Sequence, residues 1–204
     1  MEATETKILN HIRTKPRGTL YFPEDFKSFG SDEAVRVALH RMVKGGDIER
    51  VSQGIYTLPK KSSLLGKVYP SIDEVAQAIA KRDRARIMPT GAFALHALGL
   101  SSQVPTKAVY LTDSASRIIH VGNQTILFKR TSPKNLAVKG KLSGLAIQAL
   151  KAIGKDQISE TVVNMVIEIL QKEDNSKLIH DMDLAPAWIA KIFDLALKHK
   201  IDGD

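Results

Sequence analysis

Basic side chains recur at helical spacing between Glu33 and Lys44. At about 100° per residue, six side chains fall within an arc of roughly 140° on one helix face. They are Glu33, Arg36, Val37, His40, Arg41 and Lys44. Guanidinium groups recognise the major-groove edge of guanine, whereas ammonium groups attract phosphate. We therefore assign Arg36, His40 and Arg41 to DNA bases and Lys44 to the backbone. Because most charged helix faces only meet solvent, this assignment depends on the elements around it.

The residues before this face predict a short helix, a tight turn and a second helix. Pro23 suits the first position of a helix, where its missing N–H needs no partner. Gly30 is expected to end that helix with a positive φ. Ser31 or Asp32 then caps a helix that extends to about Lys44. An earlier helix is predicted over residues 5–15, and residues 19–22 have strand character.

The residues after the face predict a β-hairpin. Gly45 and Gly46 end the helix, and strands are expected over residues 48–52 and 54–58, with a turn at Gln53. Arg50 and Gln53 would then meet the DNA backbone or minor groove, and Lys27 a phosphate. Together these elements predict a winged helix-turn-helix DNA-binding domain in residues 1–58, with the second helix in the major groove.

The rest of the chain predicts a linker and an α+β domain with a small antiparallel sheet and C-terminal helices. Residues 59–70 are polar and rich in Pro, Gly and Ser, although Leu64, Leu65, Val68 and Tyr69 predict that the linker is docked. Within residues 71–204, helices are expected over 71–81, 92–98, 143–153, 158–172 and 186–199. Strands are expected over 108–112, 117–121 and 125–129.

The positive charge is concentrated in the first two thirds of the chain. The net charge of +8 divides into +4 for residues 1–70, +6 for 71–140 and −2 for 141–204. This distribution predicts a second basic surface that contacts nucleic acid or protein. Its candidate residues are Arg84, Arg86, Arg117, Lys129, Arg130 and Lys134.

The sequence offers little that could catalyse a reaction. From Arg84 to Lys155 it holds one acidic residue, Asp113, against eleven Lys and Arg, and carboxylates are what hold Mg²⁺ in nuclease and transferase sites. The six histidines are scattered, and the chain has no cysteine. We therefore expect a protein that is not an enzyme, with no metal and no cofactor. With no membrane-length apolar run or secretion signal, a cytoplasmic location is expected.

Five blocks of the sequence resemble the antitoxins of abortive-infection toxin–antitoxin systems of the AbiE type and short transcriptional regulators related to them. The blocks are YFPEDF, SQGIYTLP, PTGAFALHALGLSSQVPTKAVYLTD, RIIHVGNQTILFKRTSP and SGLAIQALKAIG. They cover most of residues 5–155. The third block is the most specific, because its helix, Gly-Leu, Val-Pro and VYLTD strand form an unusual succession.

The resemblance implies a two-domain repressor and antitoxin without catalytic activity. Its winged helix would bind inverted repeats in its own promoter, with two copies on the DNA. Its second domain would act against a nucleotidyltransferase-like toxin, and direct contact with that toxin stays open. One alternative is an RNA-binding or toxin-binding module that uses the basic second domain, with the winged helix as a scaffold. A nucleic-acid-processing enzyme that depends on Asp113 is a further alternative.

Overall fold

The computed structural model describes residues 3–201, which form two compact units. The first comprises the chain up to Ile79 together with His120–Gly122. The second comprises Ala80–Ile119 and the chain from Asn123 onward. Each unit has a hydrophobic core of its own. The protein is of the mixed α+β class, as the sequence predicts.

The first unit is built on three helical segments. Helix α1 spans Thr4–Arg13, a 3-10 helix spans Pro23–Phe29, and α2 spans Asp32–Gly45. Their apolar faces meet in one core, whose fully buried members include Ile8, Ile12, Phe26, Leu39 and Met42.

The turn between the 3-10 helix and α2 differs from its prediction in one respect. Gly30 has a φ of 171°, which is extended backbone, so the predicted positive φ is wrong. Glycine is needed there because a Cβ atom would lie 2.8 Å from Oγ1 of Thr4. The predicted cap is confirmed, since Oγ of Ser31 accepts a hydrogen bond from the N–H of Ala34 at 3.2 Å.

A three-stranded antiparallel sheet completes residues 1–58, which the sequence predicts as a winged helix-turn-helix domain. Strands β1 (Leu20–Tyr21), β2 (Glu49–Ser52) and β3 (Ile55–Thr57) lie in the order β1-β3-β2. The strand character of residues 19–22 and the hairpin are thus confirmed. Gly54 has a φ of 70° in the hairpin turn, a conformation that favours glycine.

The predicted linker is an ordered hairpin. Strands β4 (Lys60–Ser62) and β5 (Gly66–Val68) pair antiparallel. Leu64 and Leu65, at its tip, are 93% and 78% exposed, so the prediction that they dock on the protein is wrong. Helix α3 (Ile72–Arg82) follows, and the division between the two units falls within it.

The second unit contains a four-stranded sheet, apart from His120 and Val121 at its β8 end. Its strands are β6 (Ile87–Thr90), β7 (Lys107–Thr112), β8 (Arg117–Val121) and β9 (Gln124–Arg130), in the order β6-β7-β9-β8. Strands β6 and β7 are antiparallel, whereas β7 and β9 run parallel. The sequence did not predict β6 or the parallel pair. Helix α4 (Ala92–Ala97) connects β6 to the following loop.

Four helices form the C-terminal part of the second unit. They are α5 (Lys141–Ile153), α6 (Glu160–Leu170), α7 (Asn175–Met182) and α8 (Ala187–Ile201), and α7 was not predicted. Helix α8 buries Ile189, Ile192 and Phe193 in the core that these helices share, and Trp188 packs against that core. The structure thus shows docking of this helix on its own domain. Leu195 of the same helix is 42% exposed.

A buried carboxylate from α7 binds the backbone just before the N-terminus of α5. Asp181 has no exposed surface, and its two oxygens accept hydrogen bonds at 2.8 Å from the N–H groups of Lys139 and Gly140. The hydroxyl of Ser143 and, at 2.8 Å, Nδ1 of His180 also bond to it. Burial alone would raise the pKa of Asp181, but these hydrogen bonds outweigh it, so the pKa lies below its ordinary value.

Candidate nucleic-acid interface

Helix α2 presents its cations to solvent and its apolar residues to the core. Val35, Ala38, Leu39 and Met42 are buried on one side. The side chains assigned to bases and backbone on the opposite side are all exposed; they are Arg36, His40, Arg41 and Lys44. The structure therefore brings the predicted contacts of this helix together on one accessible face.

The basic side chains of this face are not used by the protein itself. Among the described residues, Arg36, His40, Arg41 and Lys44 have no ion-pair or hydrogen-bond partner for their side chains. Cations that pair within the protein help hold its fold, whereas unpaired ones remain available to an anionic partner. A polyanionic partner would require basic side chains that are free in this way.

Two smaller features adjoin this face. Val37 is 43% exposed between the cations, and an apolar side chain in that position can contact the methyl group of thymine. Helical periodicity places Val37 on this face but does not by itself indicate this role. Lys27 and Arg36 line one pocket of about 110 Å³ together with Glu24 and Asp32, so carboxylates offset the two cations there.

The β2–β3 hairpin extends the exposed polar surface of the first unit. Arg50 is exposed and lies opposite Tyr56 in the ladder, which is irregular between Arg50 and Ser52. Gln53 is exposed at the turn. Both predicted backbone contacts are therefore accessible on the strand and turn that follow α2.

The second-unit cations gather at one end of its sheet. Ile87, Thr112 and Arg130 lie side by side where β6 begins and β7 and β9 end. The N–H of Arg130 donates to Oγ of Ser116, which places the start of β8 at the same end. Most of the predicted cations there are exposed: Arg84, Arg86, Lys129, Arg130 and, on the following turn, Lys134.

One of these arginines, Arg86, is engaged within the unit. Arg86 donates to Asp113 through its backbone N–H and through Nε, both at 2.8 Å, and this pairing lowers the pKa of Asp113. Asp113 is thereby tied to the sheet end as a structural partner of Arg86.

Arg117 does not belong to the exposed basic surface that the sequence predicted. Its guanidinium group pairs with Asp83 and lies 5.2 Å from the centre of the Phe128 ring. Burial lowers the pKa of Arg117, and the nearby charge of Arg82 adds to the effect. The prediction failed because Asp83 lies 34 residues before Arg117 in the sequence, so no local pattern indicates the pairing.

Within residues 3–201, no three His, Asp or Glu side chains are grouped so as to hold a metal ion. His96 is half-buried, and its Nδ1 is 3.2 Å from the carbonyl oxygen of Ser101. No helix in this range is both long enough and apolar enough to cross a membrane.

These features define a mixed α+β protein with small antiparallel sheets in the first unit, a mixed sheet in the second, C-terminal helices and exposed cations in both units. The chain belongs to the family of unknown function DUF6088, whose profile matches residues 7–178. The match includes the α2 face, the β2–β3 hairpin and the sheet of the second unit, and it ends within α7. A comparison with curated proteins gave no match.

Proposed function

We propose that the protein is a sequence-specific DNA-binding regulator whose first unit acts as a winged helix-turn-helix. The observation that carries this proposal is the exposed face of α2, where Arg36, His40, Arg41 and Lys44 have no partner among the described residues. This function requires access to chromosomal DNA, in keeping with the cytoplasmic location expected from the sequence.

The order of elements supports insertion of α2 into the major groove. A 3-10 helix and a tight turn precede α2, and an antiparallel hairpin follows it. In helix-turn-helix proteins the second helix lies in the groove and the elements beside it contact the backbone. In the proposed complex Arg36, His40 and Arg41 read base edges, while Lys44 and the side chains of Lys27, Arg50 and Gln53 contact the backbone.

The proposed biological role is autoregulation as part of a toxin–antitoxin pair. It rests on the resemblance to AbiE-type antitoxins, which implies binding of two copies to inverted repeats in the protein's own promoter. The cognate toxin would be a nucleotidyltransferase-like protein. A neighbouring reading frame of that class would support the antitoxin role, whereas its absence would leave a plain regulator.

The exposed sheet end of the second unit favours one other function. Arg84, Lys129, Arg130 and Lys134 are solvent-exposed cations near this end of the sheet, and an RNA or an acidic protein could bind there. In that case the first unit would be a scaffold, and changes on α2 would leave binding intact.

Two substitutions on α2 separate base reading from backbone attraction. Arg36→Ala should weaken binding to a promoter duplex by about 1–3 kcal/mol and leave binding to a random duplex of equal length nearly unchanged. Lys44→Ala should weaken both and reduce the slope of log K against log salt by about one unit. Fluorescence anisotropy over a salt series measures both quantities.

Lys191→Ala provides the control, since Lys191 is exposed on α8, outside the family match. It should bind both duplexes as the unmodified protein does. If Arg36→Ala and Lys44→Ala have the same effect on both duplexes, α2 does not read sequence. If neither changes binding while charge removal at Arg130 abolishes it, the second-unit alternative is correct.

A further inference from the structure

The tip of the β4–β5 hairpin exposes two leucines on an ordered turn. Leu64 and Leu65 are 93% and 78% exposed, the highest values among the large apolar side chains of the described residues. Oγ of Ser62 accepts hydrogen bonds from the N–H groups of both, at 3.3 Å each. Gly66 follows with a φ of 69°. The turn therefore holds both leucines in a fixed, solvent-facing position.

The strands that support this tip are basic. From Pro59 to Ile72 the sequence holds Lys60, Lys61 and Lys67 and no Asp or Glu. Lys61 and Lys67 lie directly opposite each other in the ladder, and like charges in such positions repel. An anionic partner along the strands would relieve this repulsion.

The hairpin base adjoins further cations of the first unit. Lys61 and Lys67 line a pocket of about 390 Å³ together with Arg13 and Arg17. The other lining residues are Gly46, Asp47, Glu49, Leu58 and Pro59. The four cations exceed the two carboxylates, so the pocket is net positive. An anionic group of the size of a backbone phosphate can be accommodated there.

The hairpin is also connected to the strand that carries Arg50. Nζ of Lys67 is 2.5 Å from Oε1 of Glu49, and Glu49 precedes Arg50 in β2. On the other side, the Arg17 guanidinium donates to the Pro59 carbonyl oxygen at 3.3 Å. These contacts fix the base of the hairpin to the body of the unit.

We propose that the β4–β5 hairpin is a second DNA-contacting element, with Leu64 and Leu65 entering the minor groove beside the α2 site. Lys61 and Arg13 would neutralise the flanking phosphates, while Lys67 stays paired with Glu49 at the base of the hairpin. The proposal rests on the proposed function. A partner for this hairpin must be anionic and must also accept apolar side chains, and duplex DNA meets both requirements, because minor-groove proteins insert leucine between base steps among basic contacts.

The test compares the double variant Leu64→Ser/Leu65→Ser with the unmodified full-length protein. Both side chains are in solvent, so the variant should keep its far-UV circular dichroism and melting temperature. The DNA is the promoter duplex with 2-aminopurine placed at successive positions beside the α2 site. The unmodified protein should raise the fluorescence at one step, where stacking opens, and the variant should not. Affinity for the duplex should fall by about tenfold.

Two further variants sharpen the comparison. Val104→Ser is the control, because Val104 is 65% exposed in a loop of the second unit, and it should behave as the unmodified protein. Lys61→Gln should reduce the slope of log K against log salt by about one unit.

The outcomes separate this proposal from the function on which it rests. If the unmodified protein distinguishes promoter from random DNA and the double variant matches it in fluorescence and affinity, the hairpin proposal is wrong and the function stands. If the unmodified protein does not distinguish the two DNAs, the function itself fails. If the double variant instead loses only binding to phosphatidylserine vesicles, the hairpin contacts lipid and the proposal is overturned.

Discussion

Replacing Asp181 by asparagine should destabilise the second unit by about 3 kcal/mol. The carboxylate is fully buried and accepts hydrogen bonds from two backbone N–H groups, from the hydroxyl of Ser143 and from His180. Asparagine has nearly the same volume, but it replaces one accepting oxygen by an NH₂ donor. The N–H of Gly140 and the hydroxyl of Ser143 then face a donor and lose their charged acceptor.

The magnitude follows from those two bonds. A hydrogen bond to a charged group contributes about 1.5–3 kcal/mol, and a buried donor left without a partner carries a comparable cost. The hydroxyl of Ser143 can rotate to accept from the new NH₂ group, so we place the total at about 3 kcal/mol. Typical domains have a free energy of unfolding of about 5–15 kcal/mol, so the variant should fold but unfold at clearly lower urea concentration.

The effect should also depend on pH, with a sign fixed by the pKa of Asp181. Because folding lowers that pKa, the ionised carboxylate stabilises the folded state above the ordinary Asp value of about 3.9, and this stabilisation is lost as the pH falls through the folded pKa. The difference between Asp181→Asn and the unmodified protein should therefore be largest near neutral pH and narrow on acidification below about pH 4.

Urea unfolding followed by the fluorescence of Trp188 measures this difference. Trp188 is the single tryptophan of the chain and packs against the core of the second unit. Asp183→Asn is the control, because Asp183 is exposed at the C-terminal end of α7, and its stability should be unchanged. A loss below about 1 kcal/mol for Asp181→Asn, or a difference that stays constant on acidification, would refute the reasoning.

Two predictions concern glycines. Gly46→Ala should destabilise the first unit by about 1 kcal/mol, because Gly46 has a φ of 80° in the cap of α2. Gly45→Ala, one residue earlier within the helix, should instead stabilise the unit by about 0.5–1 kcal/mol. Thermal unfolding measures both changes, and a shift of the melting temperature in the same direction for both variants would contradict the account. Gly144→Ala should cost about 1 kcal/mol in urea unfolding, at the low end for overpacking, because a Cβ atom there would lie 2.6 Å from Cε at the movable end of Met88 and 3.0 Å from Cγ2 of Val138. Met88→Ala should cost less stability in the Gly144→Ala variant than in the unmodified protein. If the losses of the two single variants simply add, the contact is contradicted.

Local signals predicted much of the fold. Ser31 caps α2, and Ser71 and Glu74 cap α3 reciprocally, with the Ser71 N–H donating to Glu74 at 2.7 Å. These caps and the helical periodicity behind them place both helices to within a few residues. Gln53 and Gly54 likewise placed the turn of the β2–β3 hairpin.

The features that sequence did not reveal depend on distant contacts. Strand β6 contains Pro89, which is unusual in a strand, and it is tolerated at the edge of the sheet. The parallel pairing of β7 with β9 is decided by the packing of the whole unit. Helix α7 was missed because it is short, although Asp174 is a recognisable cap, with its side chain accepting from the N–H of Lys177.

The candidate interface shows the same contrast. The accessible face of α2 followed from helical periodicity alone, because exposure of one side is the counterpart of burial of the other. Arg117 was misplaced because its partner Asp83 lies on another segment. The exposed leucines of the β4–β5 hairpin were misread because an apolar side chain in a loop usually docks on the protein.

The most direct test of the central proposal is methylation protection of guanine N7 on the promoter duplex. If α2 lies in the major groove, the protein should protect guanines in two half-sites about 34 Å apart, or a multiple of that distance. Arg36→Ala should restore methylation at one guanine in each half-site and leave the others protected, since arginine contacts guanine N7 and O6. Protection that is absent, or that does not change in Arg36→Ala, would contradict the assignment of α2 as the reading helix.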